Sequence, residues 1–300
     1  MRKNDLHNML ILILAAAVLS GLSACAPIAR PILPVAPSPL PPFSTASLPP
    51  ISPDSLPPLT HTPTAIPSCT DSLIETAHLP TERLPEPMQF RVYLPPCYAE
   101  NSDKRYPVLY LLHGQTFTED QWQRLGAPET ADRLIIAGEV SPFIIVMPYN
   151  KSWKQPTEDK FGEALVEELI PYVDANYRTQ PDRAARTVGG LSRGGGWAIH
   201  LGLTRPDLFA AFGAHSPVVF WADSARINDW LAAIPPESMP RIYLDIGDND
   251  RELETALWLE ELLNQENIPH EWHLYPGYHE EAYWQAHVEE YLRWYVTGWR

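Results

Sequence analysis

Residues 188–197 read VGGLSRGGGW, and this stretch decides which fold the rest of the chain must form. Five glycines surround Ser192 directly after an apolar run. Glycine inside a helix or a strand costs roughly 0.5–1 kcal/mol relative to alanine, so this placement needs a steric reason. A sharp turn that joins a strand to a helix, with Ser192 at its tip, supplies that reason.

The segment Gly190-Leu191-Ser192-Arg193-Gly194 matches the pattern G-x-S-x-G. It stands between a strand-like run and a helix-like one, which is the context of a nucleophile elbow. Small residues two positions away from the serine, here Gly190 and Gly194, allow the strand and the helix nearly to touch. The pattern predicts that Ser192 is a nucleophile, and a flexible glycine-rich loop is the structural alternative.

The later part of the chain alternates short apolar runs with amphipathic stretches. The strand-like runs are 88–94, 108–112, 143–147, 186–190, 210–215, 241–246 and 271–275. The helix-like stretches are 131–138, 158–177, 195–209, 251–267 and 280–296. Nearly continuous apolar runs are typical of strands buried on both faces, and alternation with helices indicates a mostly parallel sheet. We therefore expect one α/β domain over residues 69–300, with helices on both faces of a central sheet.

A serine hydroxyl needs a base, and the base needs a partner that holds its ring. After an elbow of this kind the partners follow in the order acid, then histidine, at the carboxyl ends of later strands. His279 follows a strand through the turn Pro276-Gly277 and is the predicted base. His270 and His273 lie in or beside a strand, and His287 lies in a helical stretch, where packing or surface roles are commoner.

The acid is expected in YLDIGDND, which ends a strand. Asp250 lies deepest in the loop and is the leading candidate, with Asp248 second. Asp245 is still within the strand and could be a buried, hydrogen-bonded carboxylate. As a calcium loop beginning at Asp248, the run lacks the glycine and glutamate of an EF-hand. We expect no metal and no cofactor, and helix capping is the structural alternative for Asp250.

Two backbone N–H groups are needed to stabilise an oxyanion. One is expected from Arg193, the residue after the nucleophile, and the other from the loop after an early strand. In VLYLLHGQ, Gly114 permits a tight turn that directs the Gln115 amide inward. His113 precedes the nucleophile in the chain, so a role in shaping this loop is expected for it.

The start of the chain has the features of a secretory signal peptide over residues 1–24. Two basic residues precede an apolar stretch that begins at Met9 and is too short to cross a bilayer comfortably. The tetrapeptide LSAC at 22–25 looks like a bacterial lipobox, a resemblance that implies lipidation of Cys25 and cleavage just before it. An ordinary signal peptide with an incidental Cys25 is the alternative.

The next segment, residues 25–68, is predicted to be a disordered stalk. Its positions 26–68 contain fourteen prolines, no glycine, and only Arg30 and Asp54 as charged residues. Proline fixes φ and favours an extended spacer that cannot bury a core. The stalk would hold the domain away from the membrane to which Cys25 is attached.

Cys69 and Cys97 remain as a pair once Cys25 carries lipid. Outside the cytoplasm such a pair is more often a disulfide than a metal site, and two free thiols are the alternative. These features predict an extracytoplasmic protein with a lipid anchor in the bacterial cell membrane, or in the outer membrane if the cell has one.

The formal net charge is −15, and it belongs almost entirely to the domain after the stalk. An acidic surface repels phosphate backbones, so no nucleic-acid partner is expected. Membrane contact is expected through the N-terminal lipid alone. The sequence carries no signal for an oligomeric state.

Six motifs together, over about residues 88–296, resemble the "putative esterase" branch of the α/β-hydrolases. They are RVYLPPCY, YPVLYLLHGQ, EELIPYVDANYRT, GLSRGG, DIGDND and PGYHEEAYW. This branch includes esterase D, feruloyl and acetylxylan esterases, siderophore esterases and mycolyltransferases. The resemblance implies the α/β-hydrolase fold, a triad of Ser192, Asp250 and His279, and the two amide donors named above. The turn before His279 reads PGY where relatives often have more glycine, which leaves the shape of the acyl pocket open.

The expected function is hydrolysis of carboxylic esters through an acyl-enzyme. The substrate would be a small-molecule or polysaccharide-linked ester, because aromatic side chains near the motif loops could stack on sugars or aromatic acids. These side chains are Trp153, Trp197, Trp221, Tyr278 and Trp284. A location outside the cytoplasm argues against S-formylglutathione. Acyl transfer of the mycolyltransferase type and a non-catalytic carbohydrate-binding or adhesive module stay open as alternatives.

Overall fold

Strands that are almost wholly apolar lie at the centre of the molecule, since burial on both faces is the environment that such strands require. The computed structural model describes residues 69–299. The predicted signal peptide (residues 1–24), the predicted lipid site at Cys25 and the predicted stalk (residues 25–68) lie outside the described residues.

Within the described part of the chain, eight strands form one sheet in the order β1-β2-β4-β3-β5-β6-β7-β8. They are β1 (Leu73–Leu79), β2 (Met88–Leu94), β3 (Val108–Leu112), β4 (Ile144–Pro148), β5 (Arg186–Leu191), β6 (Ala211–His215), β7 (Arg241–Gly247) and β8 (Glu271–Tyr275). Strand β2 runs antiparallel to β1 and β4, and the other neighbours are parallel. The predicted mostly parallel sheet is confirmed. Strand β1 was not predicted because it is a half-exposed edge strand with polar residues.

The helices follow the parallel strands, and all but the last of them lie in connections between strands. They are α1 (Gln121–Arg124), α2 (Ala127–Ile136), α3 (Phe161–Ala164), α4 (Ile170–Asn176), α5 (Arg193–Thr204), α6 (Trp221–Ser224), α7 (Ile227–Ala233), α8 (Leu253–Gln265) and α9 (Glu281–Tyr295). A π-helical turn at Leu165–Leu169 separates α3 from α4, so the single helix predicted there is interrupted. The short helices α1, α6 and α7 were not predicted. None of the helices in the described range has the length and apolar character of a membrane span.

Two apolar layers cover the two faces of the sheet. Alternate residues of β3 enter different layers, because side chains of a strand point to opposite faces. Val108 and Tyr110 pack in the layer that contains residues of α3, α4, α5 and α8. Leu109 and Leu111 pack in the layer that contains residues of α2 and α9. This sandwich of the sheet between helices leaves the carboxyl ends of β5, β7 and β8 at one edge.

A disulfide joins Cys69 and Cys97, whose Cα atoms are 5.2 Å apart. The predicted bridge is therefore present. Cys69 precedes β1 and Cys97 follows β2, and the pair Leu73–Leu94 ends the β1–β2 ladder on the same side. The disulfide closes the open end of this antiparallel pair, where chain termini otherwise fray.

Candidate active site

Ser192 occupies the turn between β5 and α5 with φ 55° and ψ −121°, a conformation that an L-residue rarely adopts. A Cβ atom on Gly190 would lie 2.3 Å from the carbonyl group of Gly194. A Cβ atom on Gly194 would lie 2.2 Å from the carbonyl oxygen of Leu112. Both glycines are therefore required for the close approach of strand and helix, and the turn that they allow places the Ser192 hydroxyl at the edge of the sheet.

The structure brings Ser192, His279 and Asp250 together from three separate loops. Oγ of Ser192 lies 2.8 Å from Nε2 of His279, and Nδ1 of His279 lies 2.9 Å from each carboxylate oxygen of Asp250. The hydrogen-bond network assigns the proton to Nδ1, which donates to the carboxylate. Nε2 then carries a lone pair that can accept the proton of the Ser192 hydroxyl.

Asp250 is buried, and its carboxylate also accepts the backbone N–H of Glu252 at 2.8 Å. Burial by itself would raise the pKa of Asp250. Hydrogen bonds from His279 and from the Glu252 amide outweigh burial, so the pKa of Asp250 lies below its usual value. The carboxylate is thus ionised and can stabilise a positive charge that develops on the imidazole ring.

The other two aspartates of the stretch YLDIGDND have other partners. Asp248 accepts the backbone N–H of Gly277 at 3.0 Å and so braces the turn that carries His279. Asp245 is fully buried in β7, and its nearest partner is His215. Of the two acids left open by the sequence, Asp250 contacts the imidazole.

The remaining histidines near the end of the chain do not contact Ser192. Nδ1 of His270 faces the carbonyl oxygen of Ile268 at 2.8 Å. The rings of His273 and His287 both stack on Tyr275. These residues have packing contacts at β8 and α9.

The loop after β3 is held by hydrogen bonds to side chains. The N–H of Gly114 donates to Oε1 of Gln121 at 2.8 Å, and Gln121 is fully buried. His113 accepts the N–H of Asn150 at Nε2 (2.9 Å) and contacts the carbonyl oxygen of Gly114 through Nδ1 (2.7 Å). Burial lowers the pKa of His113, which favours the neutral ring that both contacts require.

The backbone N–H groups of Gln115 and Arg193 have no acceptor within residues 69–299. Both residues line the same cleft as Ser192. Arg193 is the first residue of α5, and the first N–H groups of a helix have no partner inside the helix. Two amides beside the Ser192 hydroxyl are thus available to a negatively charged oxygen. The Arg193 side chain is turned away from them, since it donates to the carbonyl oxygen of Lys154.

The cleft above Ser192 has a volume of about 830 Å³. Fifteen residues line it: Gly114, Gln115, Thr116, Phe117, Trp153, Gln155, Ser192, Arg193, Val218, Arg251, Glu252, His279, Glu280, Glu281 and Trp284. The volume and the mixture of aromatic and polar groups are typical of a small-molecule site. Within the described residues, no group of three His, Cys, Asp or Glu side chains is arranged to hold a metal ion.

The five aromatic residues singled out from the sequence have different positions. Trp153 is 72% exposed and Trp284 is buried, and both line the cleft. Trp197 is a core residue that packs on Phe161. Trp221 and Tyr278 are 73% and 59% exposed and are not among the lining residues of the cleft.

Two buried polar residues beside the site were not predicted. Gln121 holds the loop of Gly114, and no local pattern distinguishes it from other helical glutamines. Ser216 directly follows β6, with φ 46°, and is fully buried. The rule that directed attention to the carboxyl ends of β5, β7 and β8 applies equally to β6 and could have identified it.

The strand order, the antiparallel β2 and the serine turn after β5 define the α/β-hydrolase fold. An independent structure called a ferulic acid esterase has this fold, with a TM-score of 0.68 and 25% identity over 75% of this chain and 98% of that one. An S-formylglutathione hydrolase from Staphylococcus aureus, 20% identical over 77% of this chain and 99% of that one, gives a TM-score of 0.63.

The family described as "Putative esterase" matches residues 81–295, and the chain belongs to this family. A relative from Xylanibacter ruminicola called "Endo-1,4-beta-xylanase/feruloyl esterase" is 34% identical over 170 residues, which are 53% of this chain and 22% of the relative. An esterase of Mycobacterium tuberculosis is 31% identical over 167 residues, 52% of this chain and 34% of that protein. The chain thus spans about a fifth to a third of the length of these two relatives. Family and neighbours support a serine carboxylic-ester hydrolase.

Proposed function

We propose that this protein is a serine esterase that hydrolyses carboxylic esters through an acyl-enzyme. The observation that carries the proposal is the position of His279, which lies within hydrogen-bond distance of Ser192 on one side and of Asp250 on the other. An imidazole held in this way can remove the hydroxyl proton as a general base.

In the proposed first step, Nε2 of His279 takes the proton of Ser192 while Oγ attacks the ester carbonyl. The carbonyl oxygen becomes an oxyanion, which the free amides of Gln115 and Arg193 bind. His279 then gives its proton to the leaving alcohol, and the serine keeps the acyl group. In the second step His279 takes a proton from a water molecule, whose oxygen attacks the acyl carbonyl. The bond between the acyl carbon and Oγ then breaks, His279 returns the proton to Oγ of Ser192, and the acid leaves.

Ser192→Ala tests the proposal with p-nitrophenyl acetate and p-nitrophenyl butyrate. The variant should have no measurable turnover and should not be labelled by a fluorophosphonate probe. Its far-UV circular dichroism should match wild type, and Ser102→Ala, which changes an exposed serine, is the matched control. Turnover or labelling retained in Ser192→Ala would refute the proposal.

For the substrate, we propose a small-molecule or polysaccharide-linked ester. Support comes from the cleft, which combines the exposed ring of Trp153 with Phe117 and polar groups. Similarity to the Xylanibacter relative, whose name includes feruloyl esterase, also supports such a substrate. A panel of esters in which the acyl group and the alcohol are varied one at a time shows which of these two parts of the substrate the cleft selects. Product analysis with an added alcohol acceptor separates hydrolysis from acyl transfer.

We also propose that the protein works outside the cytoplasm, anchored by a lipid on Cys25. The LSAC tetrapeptide and the proline-rich segment support this placement, and a disulfide is commonest in oxidising compartments. Metabolic labelling with an alkyne fatty acid should mark wild type, whereas Cys25→Ser should stay unlabelled and leave the membrane fraction. Equal labelling of the two proteins would refute the anchor.

A further inference from the structure

Ser216 is a buried polar residue at the end of β6 that the proposed mechanism does not use. Its φ of 46° places a non-glycine residue in the left-handed region, which side chains disfavour. Its N–H donates to the carbonyl oxygen of Asp245 at 2.8 Å, which fixes the loop on the neighbouring strand. Such an unfavourable conformation persists only when the surrounding structure imposes it.

The indole of Trp284 connects Ser216 to the imidazole. Nε1–H of Trp284 donates to Oγ of Ser216 at 3.1 Å. The same ring meets His279 edge to face, with centroids 5.1 Å apart and an interplanar angle of 84°. Trp284 is therefore in contact with the imidazole of His279 and with the hydroxyl of Ser216.

The Ser216 hydroxyl is buried and accepts the indole N–H, so it holds one end of the Trp284 side chain. The ring of the same indole contacts the imidazole of His279. Ser216, Trp284 and His279 thus form a continuous chain of contacts that ends at the imidazole.

Helix α9 is fixed in register, and this determines where Trp284 lies. The hydroxyls of Tyr283 and Tyr291 donate to one oxygen of Asp245 at 2.8 and 2.7 Å. Asp245 lies in β7, and its carbonyl oxygen accepts the N–H of Ser216. The same residue therefore aligns helix α9 and the loop that follows β6. The indole therefore faces Ser216 through contacts that do not depend on the substrate.

We propose that Ser216 and Trp284 are positioning residues that hold the imidazole of His279 in line with Ser192. The inference rests on the proposed function. Because they act through the imidazole, they support proton transfer and do not bind the reacting carbonyl. Losing the Ser216 hydroxyl, which does not line the cleft, lowers kcat and leaves KM nearly unchanged, whereas losing the Trp284 indole, which does line it, lowers kcat and changes KM as well.

The test compares kcat and KM of Ser216→Gly and Trp284→Phe with wild type on p-nitrophenyl acetate. Glycine adopts a positive φ without strain, so Ser216→Gly removes the hydroxyl and keeps the loop conformation. Each variant should show kcat about 10- to 100-fold lower, as expected for a misplaced catalytic group. KM should stay within about twofold in Ser216→Gly, because the Ser216 side chain does not line the cleft. The double variant should lose little more than either single variant, because the two act as one unit.

Trp294→Phe is the matched control, since it also removes an indole hydrogen bond from α9, the one to Glu271 at 2.8 Å. It should lower the melting temperature without changing kcat. Wild-type kcat in Ser216→Gly, or an equal loss of kcat in Trp294→Phe, overturns the inference. Ser192→Ala is measured in parallel, because activity retained in that variant refutes the proposed esterase function itself. Failure of the positioning roles is thereby distinguished from failure of the proposed function.

Discussion

Oδ1 of Asp245 lies 2.6 Å from Nδ1 of His215, and both side chains are fully buried beneath the elbow of Ser192. The backbone connects this pair to the elbow, because the N–H of Ser192 donates to the carbonyl oxygen of His215 at 2.8 Å. Nε2 of His215 meets the hydroxyl of Tyr295 at 2.8 Å. In the described part of the chain neither side chain of this second His–Asp pair is exposed, and its contacts join β6, β7 and α9.

We expect Asp245→Asn to lower the free energy of unfolding by about 3 kcal/mol, because breaking a buried pair leaves its partners unsatisfied. Tyr291→Phe, which removes one bond to the same carboxylate, should cost about 1.5–3 kcal/mol. Urea denaturation measures both. As a control, Tyr275→Phe removes a bond to the partly exposed Glu290 and should cost less. Equal losses for all three would contradict a special role of the buried pair.

Gly194→Ala should prevent the elbow from forming, because its Cβ would lie 2.2 Å from a backbone carbonyl that cannot move aside. We expect loss of soluble, folded protein. Gly195→Ala is the neighbouring control, where the closest atom would be 3.1 Å away and smaller shifts suffice. Expression yield and circular dichroism distinguish the two, and a well-folded Gly194→Ala protein would show that the turn tolerates a side chain.

Gln121→Leu removes the acceptor that holds the N–H of Gly114 and so releases the loop that carries the Gln115 amide. Loss of one oxyanion donor costs on the order of 10²–10³ in kcat, and we expect about 10²-fold here. Gln123→Leu is the control on the same helix, because Gln123 bonds to Arg91 instead. Steady-state kinetics would contradict the role of Gln121 if the two variants had similar kcat.

Asp250 links stability to pH. Burial would raise its pKa, but the bonds from His279 and the Glu252 amide lower it in the folded protein. A carboxyl of this kind stabilises the fold above its unfolded pKa of about 3.9, and the stabilisation is lost as pH falls through the folded value. The advantage of wild type over Asp250→Asn in urea denaturation should therefore be constant above about pH 5 and shrink below about pH 4. If the difference in unfolding free energy between wild type and Asp250→Asn were the same above pH 5 and below pH 4, the lowered pKa of Asp250 would be contradicted.

The disulfide should stabilise the fold without affecting turnover. A loop of the 28 residues that separate Cys69 and Cys97 corresponds to about 3–4 kcal/mol in the chain-entropy estimate. The paired variant Cys69→Ser/Cys97→Ser should therefore melt at a lower temperature and keep the wild-type kcat, because β1 and β2 lie far from β5 in the strand order. A loss of kcat at a temperature where the variant is folded would contradict this separation.

Local patterns predicted most of the architecture. The seven apolar runs all form strands with ends within about one residue of those expected, and the glycine spacing around Ser192 matches the elbow. These features depend on neighbours a few residues away, so they are readable from sequence. The edge strand β1 is the exception, because its polar residues face solvent and weaken the alternation.

Choices between nearby polar residues needed the tertiary structure. Asp248 and Asp250 are two positions apart in one loop, so the sequence pattern alone does not distinguish them. The contact of Asp248 with the Gly277 amide decides which carboxylate faces His279. The catalytic roles of these residues and of the two amides stay predictions.

The sequence by itself determined the class of sheet, the position of the elbow and the order of serine, acid and histidine, because these follow from periodicity, glycine sterics and strand ends. Only the tertiary structure showed which partners Ser216, Gln121 and the Asp245–His215 pair contact. Each of these residues acts through partners 7 to 68 positions away in the chain. No local pattern encodes such a pairing, since it arises when strands and helices far apart in sequence pack side by side.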